Sequence, residues 1–147
     1  MTRPTVVAHA SLAVLIALYV VGAVSVPPGS LRHEVQTLPL WIPIVAGYRG
    51  RPIAKWAALP CLVFWLAIMI AIWLYLLGIA RIVTGRFFPT EVAMTLVVGL
   101  AAAIGLGACA RWRTTTRLAA VATTLLAMTA LQILAFRISL IPYIGQR

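Results

Sequence analysis

The chain reads as all-α: an integral membrane bundle of four transmembrane helices with an interfacial or re-entrant segment in the first loop. Three observations predict this. Of the 147 residues, 63% are hydrophobic and only 10% charged, whereas a soluble domain carries about 25% charged residues. The mean hydropathy is +1.06. Four apolar runs also approach the roughly 20 residues that a helix needs to cross about 30 Å of hydrocarbon. The length fits a single transmembrane domain, 1–147.

The first run, 6–26, contains no charge. Arg3 in front and Ala23-Val24-Ser25 behind imitate a secretory leader, but the stretch exceeds the roughly 7–15 apolar residues of a leader core, so it reads as a retained span. The second run, 57–80, is preceded by Lys55 and closed by Arg81. The third, 91–110, stops at Arg111, and the fourth, 118–136, begins after Arg117. Each run must be helical, because a lone strand would leave its backbone groups unpaired in lipid. In the loop between runs one and two, Leu38–Tyr48 is apolar but eleven residues long (48 − 38 + 1). That is too short to span, and Pro39 and Pro43 interrupt a regular helix. This segment is expected at the interface or dipping into the bundle, with Trp41 and Tyr48 at headgroup level.

Net charge is +10, from twelve Lys/Arg against Glu34 and Glu91. The positives stand singly or in small groups between apolar runs, which argues against nucleic acid and for anionic lipid headgroups. Arg81, Arg86, Arg111, Arg113, Arg117 and Arg137 are the expected headgroup contacts. Eleven of the twelve positives are Arg, a usage suggesting a GC-rich bacterium and its inner membrane. With four crossings, the positive-inside rule favours both termini on the non-cytoplasmic side. Arg32, Arg49, Arg51, Lys55, Arg111, Arg113 and Arg117 then face Arg3, Arg81, Arg86, Arg137 and Arg147, seven against five.

Few residues carry chemistry. On the third run Gly99, Ala103 and Gly107 form one small-residue row, and Ala101, Gly105 and Cys109 another; such rows let helix backbones approach closely. The fourth run continues the theme at Ala119, Thr123 and Ala127, so runs three and four are expected to pack together or against copies of themselves. Glu91 is ionisable near the membrane, yet it follows Pro89-Thr90, where Thr90 would be the N-cap and Glu91 a first-turn acid; Arg81 or Arg86 is its expected partner. His9 and His33 are too far apart along the chain to share a haem. Trp65 and Gln132 lie at bilayer depth and want hydrogen-bond partners. Pro60 is expected to kink the second helix beside an aromatic wall. Cys61 and Cys109 read as small buried hydrophobes.

There is no nucleophile–base set, phosphate-cradling glycine loop, HExxH or CxxC, and the pattern calls for no enzyme, no metal and no cofactor. The first expectation is therefore an accessory or structural subunit of a larger bacterial membrane complex, or a homo-oligomeric scaffold, partnered by lipid and by other subunits or its own copies. The alternative is a small homo-oligomeric transporter or channel for an ion or small amphipathic molecule, with Glu91, Gln132, Trp65, Trp41 and His33 along its pathway. The third is a quinone- or haem-binding membrane anchor.

Overall fold

The computed structural model describes residues 2–25, 31–85 and 87–141. In chain order the elements are α1 (Arg3–Ser25), α2 (Leu31–Thr37), a 3-10 turn (Leu38–Leu40), α3 (Trp41–Tyr48), α4 (Ile53–Leu76), α5 (Pro89–Arg111) and α6 (Leu118–Ser139). Among the described residues there is no strand. Helices α1, α4, α5 and α6 are each long and apolar enough to cross a membrane, so this is a multi-pass helical membrane protein.

The segment expected to be interfacial or re-entrant is helical over Leu31–Tyr48. The two prolines cost little: Pro39 sits in the 3-10 turn and Pro43 in the first turn of α3, where a missing N–H would have had no partner anyway. Eighteen residues (48 − 31 + 1) at about 1.5 Å each give about 27 Å. The segment runs antiparallel to α1 along its length. His33 lies against Gly22, whose added Cβ would be 3.1 Å from the His33 Cβ, while a Cβ on Gly47 would lie 2.8 Å from the Pro4 carbonyl and 2.9 Å from the Ala8 Cβ. The polar residues of α2 conceal this length in the sequence, but Gln36 and Thr37 are buried in the bundle.

The path of the chain follows. Helix α4 starts beside the first turns of α1 and runs parallel to it. Helix α5 returns antiparallel to both, with Gly105 set between Leu62 and Ala10 and Gly99 beside Met69. Its C-terminal end meets the start of α4, where Lys55 Nζ donates to the Trp112 carbonyl at 2.7 Å and Cys109 Sγ to the Lys55 carbonyl at 3.8 Å. The next connection passes Arg51–Ile53 at Thr115 and Thr116, and α6 then runs back to α2, where Gln36 Nε2 donates to Ser139 Oγ at 2.8 Å. The chain thus traverses the bundle five times, with Arg3 and Ser139 toward opposite ends. The four helices long enough to cross a membrane are those the sequence predicts; between the first two of them Leu31–Tyr48 runs back along α1 within the bundle.

Two expectations about boundaries also change. The sequence predicts a helix over 57–80; it lies at Ile53–Leu76 because Lys55 does not stop it. Lys55 turns its ammonium to the Trp112 carbonyl and lies 4.5 Å from the Trp56 ring centroid, while its stem stays in the helix. Gly78 ends the helix at φ 72°, with Ile79 N–H bonded to the Leu74 carbonyl and Gly78 N–H to that of Tyr75, a Schellman motif. Gly50, at φ 64°, closes α3 the same way through Arg51 N–H to Ala46 and Gly50 N–H to Gly47. Helix α4 continues through Pro60 without interruption.

The two small-residue rows part company. Ala101, Gly105 and Cys109 are buried against α1 and α4. Ala103 is exposed, and a Cβ on Gly107 would meet nothing within 4 Å. Helices α5 and α6 share no packed interface: α5 lies on α1 and α4, α6 on α4 and α2. The α6 hydroxyls of Thr123 and Thr124 bond back to the carbonyls of Ala119 and Ala120 and so tie nothing across helices. Cys61 and Cys109 are free and buried.

A Cβ on Gly105 would lie 2.7 Å from Leu62 Cδ1 and 2.9 Å from the Ala10 Cβ. Gly105→Leu is therefore expected to destabilise the bundle by about 1–3 kcal/mol, whereas Gly107→Leu, in open space, leaves stability unchanged. Thermal unfolding of both in detergent checks this; equal losses would contradict the assigned faces of α5.

Candidate functional site

At the α2 end the helices do not close completely. A cavity of about 330 Å³, open on one side, reaches from the connection after α4 down to Trp65, halfway along that helix. Its walls are mostly apolar: Leu18 and Val21 from α1, Met69 and Ile72 from α4, Val98 from α5 and Phe136 from α6. Val83, Thr84 and Gly85 form its rim, and Tyr75 Oη donates to the Gly85 carbonyl at 3.2 Å.

Into these walls the fold places a small polar set: Arg32, His33, Gln36, Trp65, Glu91 and Thr95. Glu91 caps α5. Its Oε2 accepts the Phe88 N–H at 2.8 Å, so the N-cap is Phe88 and not the expected Thr90. Pro89 explains the shift: the residue before a proline is driven to extended backbone, Phe88 has ψ 157°, and Pro89 takes the first helical position. Glu91 is 8% exposed and lines the cavity with Arg32 and His33; of its two expected partners, Arg81 is exposed and Arg86 lies outside the described residues. The charges of Arg32 and Glu91 both act on the His33 ring. Thr95 Oγ1 is occupied by the Val92 carbonyl at 2.7 Å.

Three nitrogens around the cavity are buried without a partner: Arg32 Nε, His33 Nδ1 and Trp65 Nε1. Trp65 itself is 3% exposed, and its edge-on contact with Phe64, which in turn meets Phe136, holds the ring in place. Leaving a buried donor without an acceptor costs about 1–3 kcal/mol; the His33 Nδ1 packs against Gly22 of α1.

Of the sequence candidates, Glu91, Trp65 and His33 come together here. Gln132 stands behind the cavity, donating through Nε2 to the Gln36 carbonyl at 3.2 Å. Trp41 is 45% exposed on the outer surface, beside Arg49 and Arg51. His9 lies at the other end of the bundle, its Nδ1 2.7 Å from the Thr5 carbonyl and its ring edge-on to Tyr48; no haem spans it and His33. Arg81, Arg111, Arg113, Arg117 and Arg137 are all exposed. The sequence alone gives no reason to single out Arg32 and Gln36, although polar residues spaced four apart on a stretch followed by apolar helix are the signal of a helix with one polar face.

Comparison with protein-family models, with curated proteins and with solved structures gave no match. Fold and site together define a multi-pass helical membrane protein with a partly polar cavity between its helices.

Gln36→Leu removes the bond to Ser139 and is expected to cost about 1 kcal/mol. Gln132→Leu is expected to be nearly neutral, because the lost bond is offset by removal of its own buried Oε1, which has no partner. Chemical unfolding in detergent separates the two; a larger loss for Gln132→Leu would show that its carbonyl oxygen does contribute.

Proposed function

We propose that this chain is a non-catalytic membrane-embedded binding protein that holds a small amphipathic molecule in the cavity at its α2 end, as a transporter or carrier subunit. The observation that carries this is a largely apolar cavity whose lining includes the polar residues Arg32, His33, Gln36, Trp65, Glu91 and Thr95. Its volume falls in the range of about 300–1,000 Å³ usual for small-molecule sites, which pair apolar walls with a few fixed polar groups. Five traverses enclose no wide path, so transport would require copies of the chain or a partner.

The placement in a bacterial inner membrane belongs to the same proposal. Of the described positives, Arg3, Arg49, Arg51, Lys55, Arg111, Arg113 and Arg117 gather at the Arg3 end, and Arg32, Arg81 and Arg137 at the other, seven against three. The positive-inside rule then favours a cytoplasmic Arg3 end, with the cavity on the far side. A second reading, the accessory subunit or scaffold, is favoured by Ala103 and Gly107, small outward residues of α5 that the bundle itself leaves open to another helix.

Two measurements test these statements. Organic extraction of protein purified in mild detergent is expected to release a stoichiometric small molecule, depleted at least severalfold in Met94→Trp, whose larger side chain enters the cavity; equal content in both proteins would remove the cavity from the account. In spheroplasts, an impermeant maleimide is expected to label Thr84→Cys but to reach Thr2→Cys only after permeabilisation. Labelling of both from one side would restore four crossings.

A further inference from the structure

Independently of the cavity, we infer that the Arg3 end of the bundle holds one anionic phospholipid, its phosphate at Arg49 and Arg51 and an acyl chain along the outer face of α3. The charge distribution points to the class of partner. The sequence has twelve Lys/Arg and two acids, Glu34 and Glu91, and both acids belong to the cavity end, on α2 and in the first turn of α5. The end that carries Arg3, Arg49, Arg51 and Arg111 therefore has no carboxylate side chain of its own. Countercharge must come from outside, and at headgroup depth it comes from lipid phosphate.

The shape of the surface gives the location. Trp41, Ile42 and Val45 are exposed on one face of α3 and share an open recess of about 420 Å³ with Arg49, Arg51 and Ile53. Arg51 and Ile53 also line an adjoining recess with Thr115 and Thr116, so the apolar face leads directly to a polar rim. Trp41 and Arg49 are eight positions apart, about 12 Å along the helix, close to the half of about 30 Å of hydrocarbon that one leaflet fills. At the rim, Gly50 takes φ 64°, and Arg51 N–H bonds to the Ala46 carbonyl. The backbone of the turn is thus closed on α3 while both arginine side chains stay exposed. A guanidinium is a planar fork that meets phosphate oxygens in pairs. A zwitterionic lipid would bring its own cation into an end that is already positive, whereas phosphatidylglycerol brings a phosphodiester and neutral hydroxyls.

The test uses the full chain, delipidated in mild non-ionic detergent and titrated with phosphatidylglycerol or phosphatidylethanolamine, with bound lipid counted by native mass spectrometry. One phosphatidylglycerol per chain is expected to bind in clear preference to phosphatidylethanolamine. Arg49→Gln or Arg51→Gln is expected to weaken it about fivefold, and the pair further; both keep the backbone N–H groups that close α3. Trp41→Ala is expected to weaken it through lost acyl contact. Arg111→Gln with Arg113→Gln removes the same charge from the same end outside the recess and is expected to leave binding nearly unchanged. Equal loss in the two double variants would mean a diffuse charge effect and overturns the inference. Phosphatidylethanolamine bound as tightly as phosphatidylglycerol overturns it too, as does the absence of any bound lipid in the unsubstituted chain.

Discussion

Lipid tails are as apolar as leucine, so they give helices no hydrophobic reason to associate, and this bundle depends on how near its backbones come to one another. Helix α1 is where that nearness is concentrated. Its buried face carries Ala8, Ala10, Ser11 and Ala17, and opposite them stand Gly47 of α3 and Gly105 of α5, neither with room for a side chain. Dispersion grows steeply as contact distances shorten, so small residues on both sides do the work that bulky side chains do in a soluble core. The exposed leucines and isoleucines of α5 and α6 face the other way and serve as solvent-facing groups in an apolar solvent.

A second, polar set of contacts complements that packing. Gln36 ties α2 to Ser139, and Gln132 ties α6 back to the Gln36 backbone. Because α5 and α6 do not pack on one another, the C-terminal helix is held by α4 and this amide layer. The layer stands directly behind the cavity, so the same helix that brings Arg32 and His33 to the cavity wall is anchored through Gln36 by hydrogen bonds. Rigidity behind a site and open polar groups within it come from one short segment.

The four apolar runs were legible because lipid demands long uninterrupted hydrophobic stretches, and α1, α4, α5 and α6 meet that demand by composition alone. Leu31–Tyr48 was not, since Arg32, His33 and Glu34 lower its hydropathy and Pro39 and Pro43 argue against helix. What rescues it is position: a 3-10 turn and a first helical turn are the two places where those prolines do no harm. The glycines that end α3 and α4 were readable in principle, because a glycine after an apolar helix marks a left-handed cap. In the site, Glu91, Trp65 and His33 stood out as polar or indole groups at membrane depth, but nothing local links residues on α2, α4 and α5. Their meeting is a product of tertiary packing, and so is the separation of Trp41 and Gln132 from them.

The late partner of Gln36 has a consequence for biogenesis. Gln36 and Ser139 are separated by 103 positions, and at about 5–20 residues per second a ribosome needs roughly 5–20 s to make that stretch. During that interval the polar half of Leu31–Tyr48 is without the hydroxyl it finally grips, and its own hydropathy is too low to hold it firmly among lipid tails. The nascent chain must shelter this segment against α1 or within the insertion machinery until the last helix emerges. Completion of the bundle therefore waits on the emergence of α6, and a truncation that spares every wall of the cavity up to α5 still leaves its α2 wall unanchored.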